Sequence, residues 1–183
     1  MRWCWIDRFV EAQRGRYAVS VKAVSLAEEQ LFDYVPGVPV MPNSLIIEGL
    51  AQTAGVLLGE VNGFRERIVL AKVSKAVFHR YAGAGEVLTY RAELRRMDEL
   101  GAYAVGTSHI GDELQAEVEL FFAHLDERFP GKENFPPEEL LLLLRLLKFY
   151  EVARDDNGAL LEIPAYLREA ELAANRVAPH SVS

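Results

Sequence analysis

A single ionisable side chain, Glu48, interrupts the largely apolar stretch of residues 45–59. A carboxyl group inside an apolar helix is rarely buried unless it is paired or functional. Because desolvation raises the pKa of a carboxyl group, such a group can serve as a general acid. Gln52 follows four residues later, so the two side chains share one helix face. A structural role, in which Glu48 bonds a backbone group at a sheet edge, is an equal alternative on these grounds.

The segment before this stretch is suited to position a helix terminus. Residues 33–43 contain three prolines and one glycine. Proline lacks a backbone donor and biases the residue before it toward extended geometry. We therefore predict an ordered loop, followed by a helix over residues 44–61 whose start is capped by Asn43 or Ser44. The free N–H groups and the dipole at that start suit a carbonyl oxygen that gains negative charge, so an oxyanion site beside an acid is predicted.

The elements that must position this helix are strands. Period-2 patterning and turn residues predict strands over residues 6–12, 17–25, 67–76, 87–97, 102–110 and 115–124. Two strands, one buried helix and an antiparallel meander predict an α+β fold in which one sheet wraps around one central helix. Glycines at 49, 55 and 59 would let the sheet pack close to the helix backbone.

Composition excludes several classes of function. The chain has 183 residues, a net charge of −7 and 50% hydrophobic residues, which argues against a disordered chain and against a nucleic-acid binder. Its one cysteine, Cys4, provides neither a disulfide framework nor a thiolate metal cluster, and a reduced, cytoplasmic compartment is expected. We expect no secretory signal and no membrane span. No metal-ligand spacing or phosphate loop is found, so no metal or cofactor is expected.

A motif of seventeen positions carries a family resemblance. Residues 36–52 read Pro-Gly-x-Pro-Val-Met-Pro-x-x-Leu-Ile-Ile-Glu-x-Leu-Ala-Gln, which resembles the active-site motif of the 3-hydroxyacyl-(acyl-carrier-protein) dehydratases of bacterial fatty-acid synthesis. The flanking residues 6–9, 15–16, 75–80 and 85–86 agree with the same family. The resemblance covers about residues 3–125. It implies a hot-dog fold and a homodimer, or a higher oligomer of dimers, in which the two sheets join.

The resemblance also implies a reaction, the elimination of water from a 3-hydroxyacyl thioester of acyl carrier protein or CoA. In the family a histidine removes the α-proton, and an acid on the central helix of the other subunit protonates the departing hydroxyl. Glu48 matches that acid. The implied substrate-binding residues are Asn43, which matches the donor of a backbone N–H to the thioester carbonyl; Val40, whose carbonyl would orient the histidine; Gln52, which supports the site; and Gly37 of the motif loop.

This sequence departs from the family at the histidine position, which is occupied by Tyr34. A phenol ordinarily titrates near pH 10 and an imidazole near 6.5, and a general base works best with a pKa near the operating pH. Tyr34 is therefore suited to donate a hydrogen bond or a proton and is a poor replacement for the base. The four histidines lie outside the motif loop, and ordinary structural roles are expected for His79, His109, His124 and His180.

The sequence is compatible with three functions. The first is a divergent dehydratase-type lyase of fatty-acid or related acyl metabolism, with Glu48 and Tyr34 as its catalytic residues. The second is a non-catalytic subunit that binds an acyl group or a carrier protein. The third is a hot-dog thioesterase in which Glu48 activates water.

The last third of the chain is not needed by the dehydratase pattern. We divide the chain into a hot-dog domain, residues 1–128, and a C-terminal helical extension, residues 129–183. Helices are predicted over residues 137–153 and 164–175, with a frayed end at 177–183. The first of these helices has a wide leucine-rich face that must be covered. Packing on its own domain or on a partner subunit is the favoured interpretation, and a lid over the acyl tunnel or a partner-docking helix is the alternative.

Overall fold

The computed structural model describes residues 4–125 and 135–177. Its strands are β1 (Arg8–Gln13), β2 (Tyr17–Ala23), β3 (Arg67–Phe78), β4 (Val87–Asp98), β5 (Gly101–Ile110), β6 (Glu113–Leu125) and β7 (Ala153–Arg154). They form one seven-stranded sheet in the order β3-β6-β5-β4-β2-β1-β7. The six strands predicted from the sequence are confirmed, with ends shifted by at most two residues. All neighbours in the sheet are antiparallel except β1 and β7, which are parallel.

The sheet wraps around one long helix, α1 (Asn43–Val61), as predicted. The helix buries apolar side chains beneath the sheet, among them Leu50, Ala54, Leu57 and Leu58. A Cβ at Gly49 would overlap the ring of Tyr90 on β4, so a glycine is required where the sheet approaches the helix backbone. The same explanation fails at position 55, where a Cβ would meet nothing within 4 Å.

The helix α1 also has the length and composition of a membrane span. Among the described residues it is the one helix that passes this test, and 56% of its apolar window is buried inside the molecule. The core helix of a soluble protein has the same properties, because it is surrounded by apolar side chains instead of lipid. In this fold the surrounding apolar surface is the concave face of the sheet, which includes Leu88, Tyr90 and Leu120.

The single helix predicted over residues 137–153 is wrong. The chain forms α2 (Pro137–Leu146) and then a separate turn of helix, α3 (Phe149–Val152). Lys148 separates them with a φ of 58°, a left-handed conformation that costs about 1–2 kcal/mol. The break directs Phe149 into the core, where its ring packs edge-on against Phe9 at 5.1 Å and Phe64 at 6.4 Å. Burial of such a side chain contributes about 1.5–3 kcal/mol, which offsets the strain.

The chain after α3 joins the edge of the sheet. In β7, Ala153 and Arg154 pair with Ala12 and Gln13 of β1. The Gln13 side chain also donates to the Asp155 carbonyl at 2.6 Å. The last helix, α4 (Ala165–Val177), confirms the helix predicted over residues 164–175 and packs against α2. These contacts leave β3 at the opposite edge of the sheet.

Part of the leucine-rich face of α2 packs on the rest of the same chain, which is one of the two packing arrangements favoured from the sequence. Leu141, Leu144 and Leu147 are buried in the common core, and the Leu147 carbonyl accepts the Phe9 N–H at 2.8 Å. The boundary placed between residues 128 and 129 lies outside the described residues. Of the frayed end predicted at 177–183, Val177 is the last residue of α4, and residues 178–183, which include His180, lie outside the described residues too.

Candidate active site

The proline-rich segment is an ordered loop with defined hydrogen bonds. Pro36 and Gly37 occupy the centre of a turn that is closed by the Val38 N–H on the Val35 carbonyl at 3.0 Å. Gly37 has a φ of 76°, which the third position of a type II turn requires and which favours glycine. Gly37 therefore shapes the loop.

The loop is fastened to the rest of the domain immediately before the helix begins. The Val40 N–H donates to the Leu31 carbonyl at 3.1 Å, and the Met41 N–H donates to the Ala82 carbonyl at 2.7 Å. Val40 also forms an isolated bridge with Gly83. Because Met41 is fully buried, the position of the helix start is fixed by both packing and hydrogen bonding.

The start of α1 carries free backbone donors. Pro42 stands at the N-cap, and its carbonyl accepts the N–H groups of Leu45 and Ile46 at 2.9 and 3.3 Å. The N–H groups of Asn43 and Ser44 precede these first donors and take no part in the helix ladder. The predicted side-chain cap from Asn43 or Ser44 is wrong, because Pro42 occupies the cap without a side-chain bond. Within the described chain, the Asn43 side-chain oxygen is buried without a hydrogen-bond partner.

Glu48 lies one and a half turns into α1 and is half-buried. Its carboxylate accepts a hydrogen bond from the Gln52 side-chain nitrogen at 2.8 Å. The Gln52 oxygen accepts the Trp5 backbone N–H at 2.8 Å, so the amide is oriented with its NH2 group toward Glu48. This arrangement differs from the structural alternative considered above, in which Glu48 would bond a backbone group at a sheet edge. Gln52 holds the carboxylate in one orientation and leaves it facing a cavity.

The cavity next to Glu48 has a volume of about 550 Å³, within the range of small-molecule sites. One wall is the face of α1 that contains Glu48, Gln52, Gly55, Val56 and Gly59. The facing wall comes from the C-terminal extension, mainly through Leu140, Leu143, Leu147 and Tyr166. Polar groups of Glu48 and Gln52 therefore stand at one end of a largely apolar space.

Tyr34 lies elsewhere in a single copy of the chain. Its side chain is 42% exposed, and its ring packs edge-on against Tyr81 with centroids 6.3 Å apart. The cavity lining described above includes Glu48 and Gln52 and does not include Tyr34, Gly37, Val40 or Asn43. The residues singled out from the sequence thus fall into two groups, one in the cavity and one on the motif loop.

Two parts of the site were missed by the sequence reasoning. Leu140 and Leu143 line the cavity, although packing on the domain or a partner was the favoured role of their helix and a lid over the acyl tunnel was only an alternative. Gly55 was assigned to close packing but faces open space in the cavity. The sequence did contain a signal for both features. Because α1 is apolar nearly all round, it must be covered on a second side as well as by the sheet.

The described histidines and acidic groups add no further site. His79 is exposed, as expected, and pairs with Glu117 at 3.2 Å. The His124 side chain, which is only 11% exposed, pairs with Glu66 at 2.8 Å, an ordinary structural role. Within residues 4–125 and 135–177, no group of three or more histidine, cysteine, aspartate or glutamate side chains is arranged to hold a metal ion.

An antiparallel sheet wrapped around one central helix is the hot-dog fold, and this fold gives the class of protein. Solved structures share this fold. One is the dehydratase heterocomplex ApeI:P from Xenorhabdus doucetiae, which is 16% identical, with a TM-score of 0.57 over 77% of this chain and 89% of that chain. Another is smu.793 from Streptococcus mutans bound to acetyl CoA, which is 12% identical, with a TM-score of 0.56 over 68% of this chain and 93% of that chain.

The particular family follows from the sequence match. The family model for the FabA-like domain matches residues 4–117, and the chain belongs to this family. A relative named 3-hydroxyacyl-[acyl-carrier-protein] dehydratase FabZ, from Pelotomaculum thermopropionicum, is 36% identical over 119 residues, which is 64% of this chain and 85% of the relative. The FabZ of Chlamydia caviae is 38% identical over 116 residues, which is 62% of this chain and 75% of that relative. The extension contributed by residues 135–177 lies beyond the family match.

Proposed function

We propose that this protein is a dehydratase-type hydro-lyase that removes water from 3-hydroxyacyl thioesters in fatty-acid or related acyl metabolism. The observation that carries the proposal is the placement of Glu48, which Gln52 orients toward one end of an apolar cavity. Relatives named as dehydratases of acyl-carrier-protein thioesters support it. The substrate is carried by acyl carrier protein or CoA, and the proposed location is the cytoplasm.

The proposed reaction breaks the C2–H and C3–O bonds of the substrate and forms the C2=C3 double bond. The thioester carbonyl accepts the free N–H of Asn43 at the start of α1, which stabilises the negative charge that develops as the α-proton leaves. Glu48 donates its proton to the departing hydroxyl, and water leaves. The ionised hydroxyl of Tyr34 in a second copy accepts the proton from C2 as these bonds break. That proton then passes through solvent to the Glu48 carboxylate, so both groups end the cycle unchanged.

The proposed site is completed by a second copy of the chain. Tyr34 of one copy lies outside its own cavity, and the family resemblance places position 34 of one subunit beside the acid of the other. The strand β3 forms one edge of the sheet and exposes Leu70 and Val73. A twelve-residue edge strand with exposed apolar side chains is suited to pair with a second copy. We therefore propose a homodimer in which two sheets join through β3.

The test is turnover of a 3-hydroxyacyl carrier-protein thioester, followed by formation of the enoyl thioester. Glu48→Gln should lower the rate by about 10²–10⁴-fold, the usual contribution of a general acid. Glu60→Gln is the matched control, since it makes the same change on the same helix outside the described cavity lining. Absence of turnover above background across acyl-chain lengths would overturn the proposal, and release of free thiol from acyl-CoA would indicate a thioesterase instead.

A second candidate function is an acyl-binding subunit that works with a histidine-bearing homologue. Tyr34 at the histidine position favours it, because a phenol does not accept protons readily at neutral pH. A related fold occurs in a dehydratase heterocomplex, so such pairing is compatible with this architecture. In this case the protein alone would be inert, and addition of a histidine-bearing FabA-like partner would be required for enoyl formation.

A further inference from the structure

We propose that the C-terminal extension, residues 135–177, forms one wall of the acyl-chain pocket. In this proposal, Gly55, Leu140 and Leu143 set the length of the acyl chain that the pocket accepts. The inference rests on the proposed function, since it takes the cavity beside Glu48 to be the place of the acyl group. It assigns a specificity role to a segment that lies beyond the family match. The ligand class is the apolar acyl chain of a thioester.

The wall of the cavity that α1 forms is long and open enough for an extended acyl chain. Its lining residues run from Glu48 to Gly59, three helical turns or about 16 Å along the axis. Gly55 stands two turns beyond Glu48, and a Cβ there would meet nothing within 4 Å. At Gly59, by contrast, a Cβ would overlap the ring of Phe64. The open space therefore begins at the carboxylate, continues over Gly55 and is bounded by Phe64 near Gly59.

The opposite wall is one face of α2. Leu140, Leu143 and Leu147 line the cavity and are spaced three and four residues apart, so they share a face. Leu142 and Leu146 on the other side of α2 are 53% and 56% exposed. Some leucines of α2 therefore line the cavity, whereas others on the same helix face outward. The outward-facing leucines are matched control positions.

The extension is held firmly enough to act as a wall. The Tyr166 hydroxyl donates to the carbonyls of Gly63 and Phe64 at 2.9 and 3.1 Å. Arg145 on α2 makes two hydrogen bonds with the Glu171 carboxylate on α4, at 2.8 and 2.9 Å. The first pair of bonds joins α4 to the turn after α1, and the second pair joins α2 to α4.

Besides Glu48, the charged side chains that line the cavity are Arg65, Glu66 and Arg67. The Arg65 guanidinium lies 4.9 Å from the centre of the Tyr166 ring. Glu66 accepts hydrogen bonds from Asn62 at 2.9 Å and pairs with His124 at 2.8 Å. What remains for an occupant between Gln52 and Phe64 is mainly glycine backbone and aliphatic surface. This apolar stretch of the lining suits an acyl chain better than the phosphate-bearing arm of a carrier.

The experiment is calorimetric binding of acyl-CoA thioesters from butyryl to palmitoyl, with CoA alone as a further probe, to the full chain. Wild-type affinity should increase with chain length until the pocket is filled. Gly55→Leu should weaken binding of the longer chains at least tenfold and leave butyryl-CoA nearly unaffected, with Gly55→Ala giving a smaller change of the same kind. Leu143→Ala should move the preference toward longer chains, and Leu142→Ala should leave the profile unchanged.

Binding requires no turnover, so the two proposals fail separately. If the folded Gly55→Leu and Leu143→Ala variants keep the wild-type chain-length profile, the assignment of the pocket is wrong. Equal affinity for CoA and for its acyl thioesters would also overturn it, because the cavity would then hold the carrier arm. If the variants shift the profile but no 3-hydroxyacyl substrate is converted, the pocket stands and the hydro-lyase proposal fails.

Discussion

At the scale of single residues, the proposed chemistry depends on Glu48 as the acid and on Tyr34 at the position of the base. Glu48 has the features of a positioned proton donor, since Gln52 orients it and the cavity adjoins it. Tyr34 offers a phenol where the family resemblance expects an imidazole, and its ring rests on Tyr81 at the surface of the single copy. The proposed acid is thus in place, and the base position is the weak part of the site.

Replacement of Tyr34 by histidine tests this interpretation. Tyr34→His should raise turnover of 3-hydroxyacyl carrier-protein thioesters at least tenfold at neutral pH, because imidazole titrates near the working pH. Tyr34→Phe serves as the control, since it keeps the ring contact with Tyr81 and removes the hydroxyl. A wild-type rate equal to that of Tyr34→His would show that the base lies elsewhere and would remove the case for an inert binding subunit.

Glu60 provides a pH-dependent prediction about stability. Burial raises the pKa of its carboxyl group, partly offset by Arg14 at 3.4 Å, and the Tyr150 hydroxyl also faces this group. A raised pKa means that the folded state binds the proton more tightly, so the free energy of unfolding falls as the pH rises above the ordinary value of 4.5 toward the folded pKa. The measurement is the free energy of unfolding in urea for wild type and for Glu60→Gln at several pH values. The wild-type value minus the variant value should decrease as the pH rises across this window. A difference that stays constant or grows would contradict the prediction.

At the scale of elements, the break between α2 and α3 decides how the extension docks. Leucine periodicity predicted one continuous helix, and nothing in that pattern marks Lys148 as a left-handed residue. The break depends on a tertiary contact, because Phe149 gains burial against Phe9 and Phe64 only if the chain turns there. The leucine pattern was therefore sufficient to predict a helix here. The end of that helix could not be predicted, because it depends on the contacts of Phe149.

Phe149→Ala tests the docking of the extension. Removal of a fully buried phenylalanine should cost about 3–5 kcal/mol in the free energy of unfolding. Because Phe149 contacts both Phe9 on β1 and Phe64 in the turn after α1, the variant should also show faster amide exchange across β7. Tyr103→Ala, a change at a stacked but half-buried aromatic pair on the sheet, is the comparison. An equal effect of the two variants on exchange in β7 would argue against the docking role.

At the scale of the whole molecule, the motif and the strand pattern were sufficient to predict the wrapped sheet and its helix. The spacing of Glu48 and Gln52 predicted a shared face, and the structure adds the hydrogen bond between them. The shape of the cavity could not be predicted, because one wall belongs to α1 and the other to a segment that begins more than seventy residues after α1 ends. The separation of Tyr34 from Glu48 in one copy likewise depends on the fold of the loop.

The wider consequence is that two parts of one chain share the proposed site. The family domain contributes the acid and the helix start, and the extension contributes the apolar wall. The binding series with Gly55→Leu and Leu143→Ala tests the wall, whereas the carbonyl and proton-transfer roles belong to α1. A dimer through β3 would then bring the motif loop of one copy to the cavity of the other.

The most direct test of the central claim is the rate of enoyl formation from a 3-hydroxyacyl carrier-protein thioester by wild type, Glu48→Gln and Glu60→Gln under identical conditions. The proposal predicts measurable turnover by wild type, a similar rate for Glu60→Gln and a loss of about 10²–10⁴-fold for Glu48→Gln. A Glu48→Gln variant that is folded and as active as wild type would contradict it.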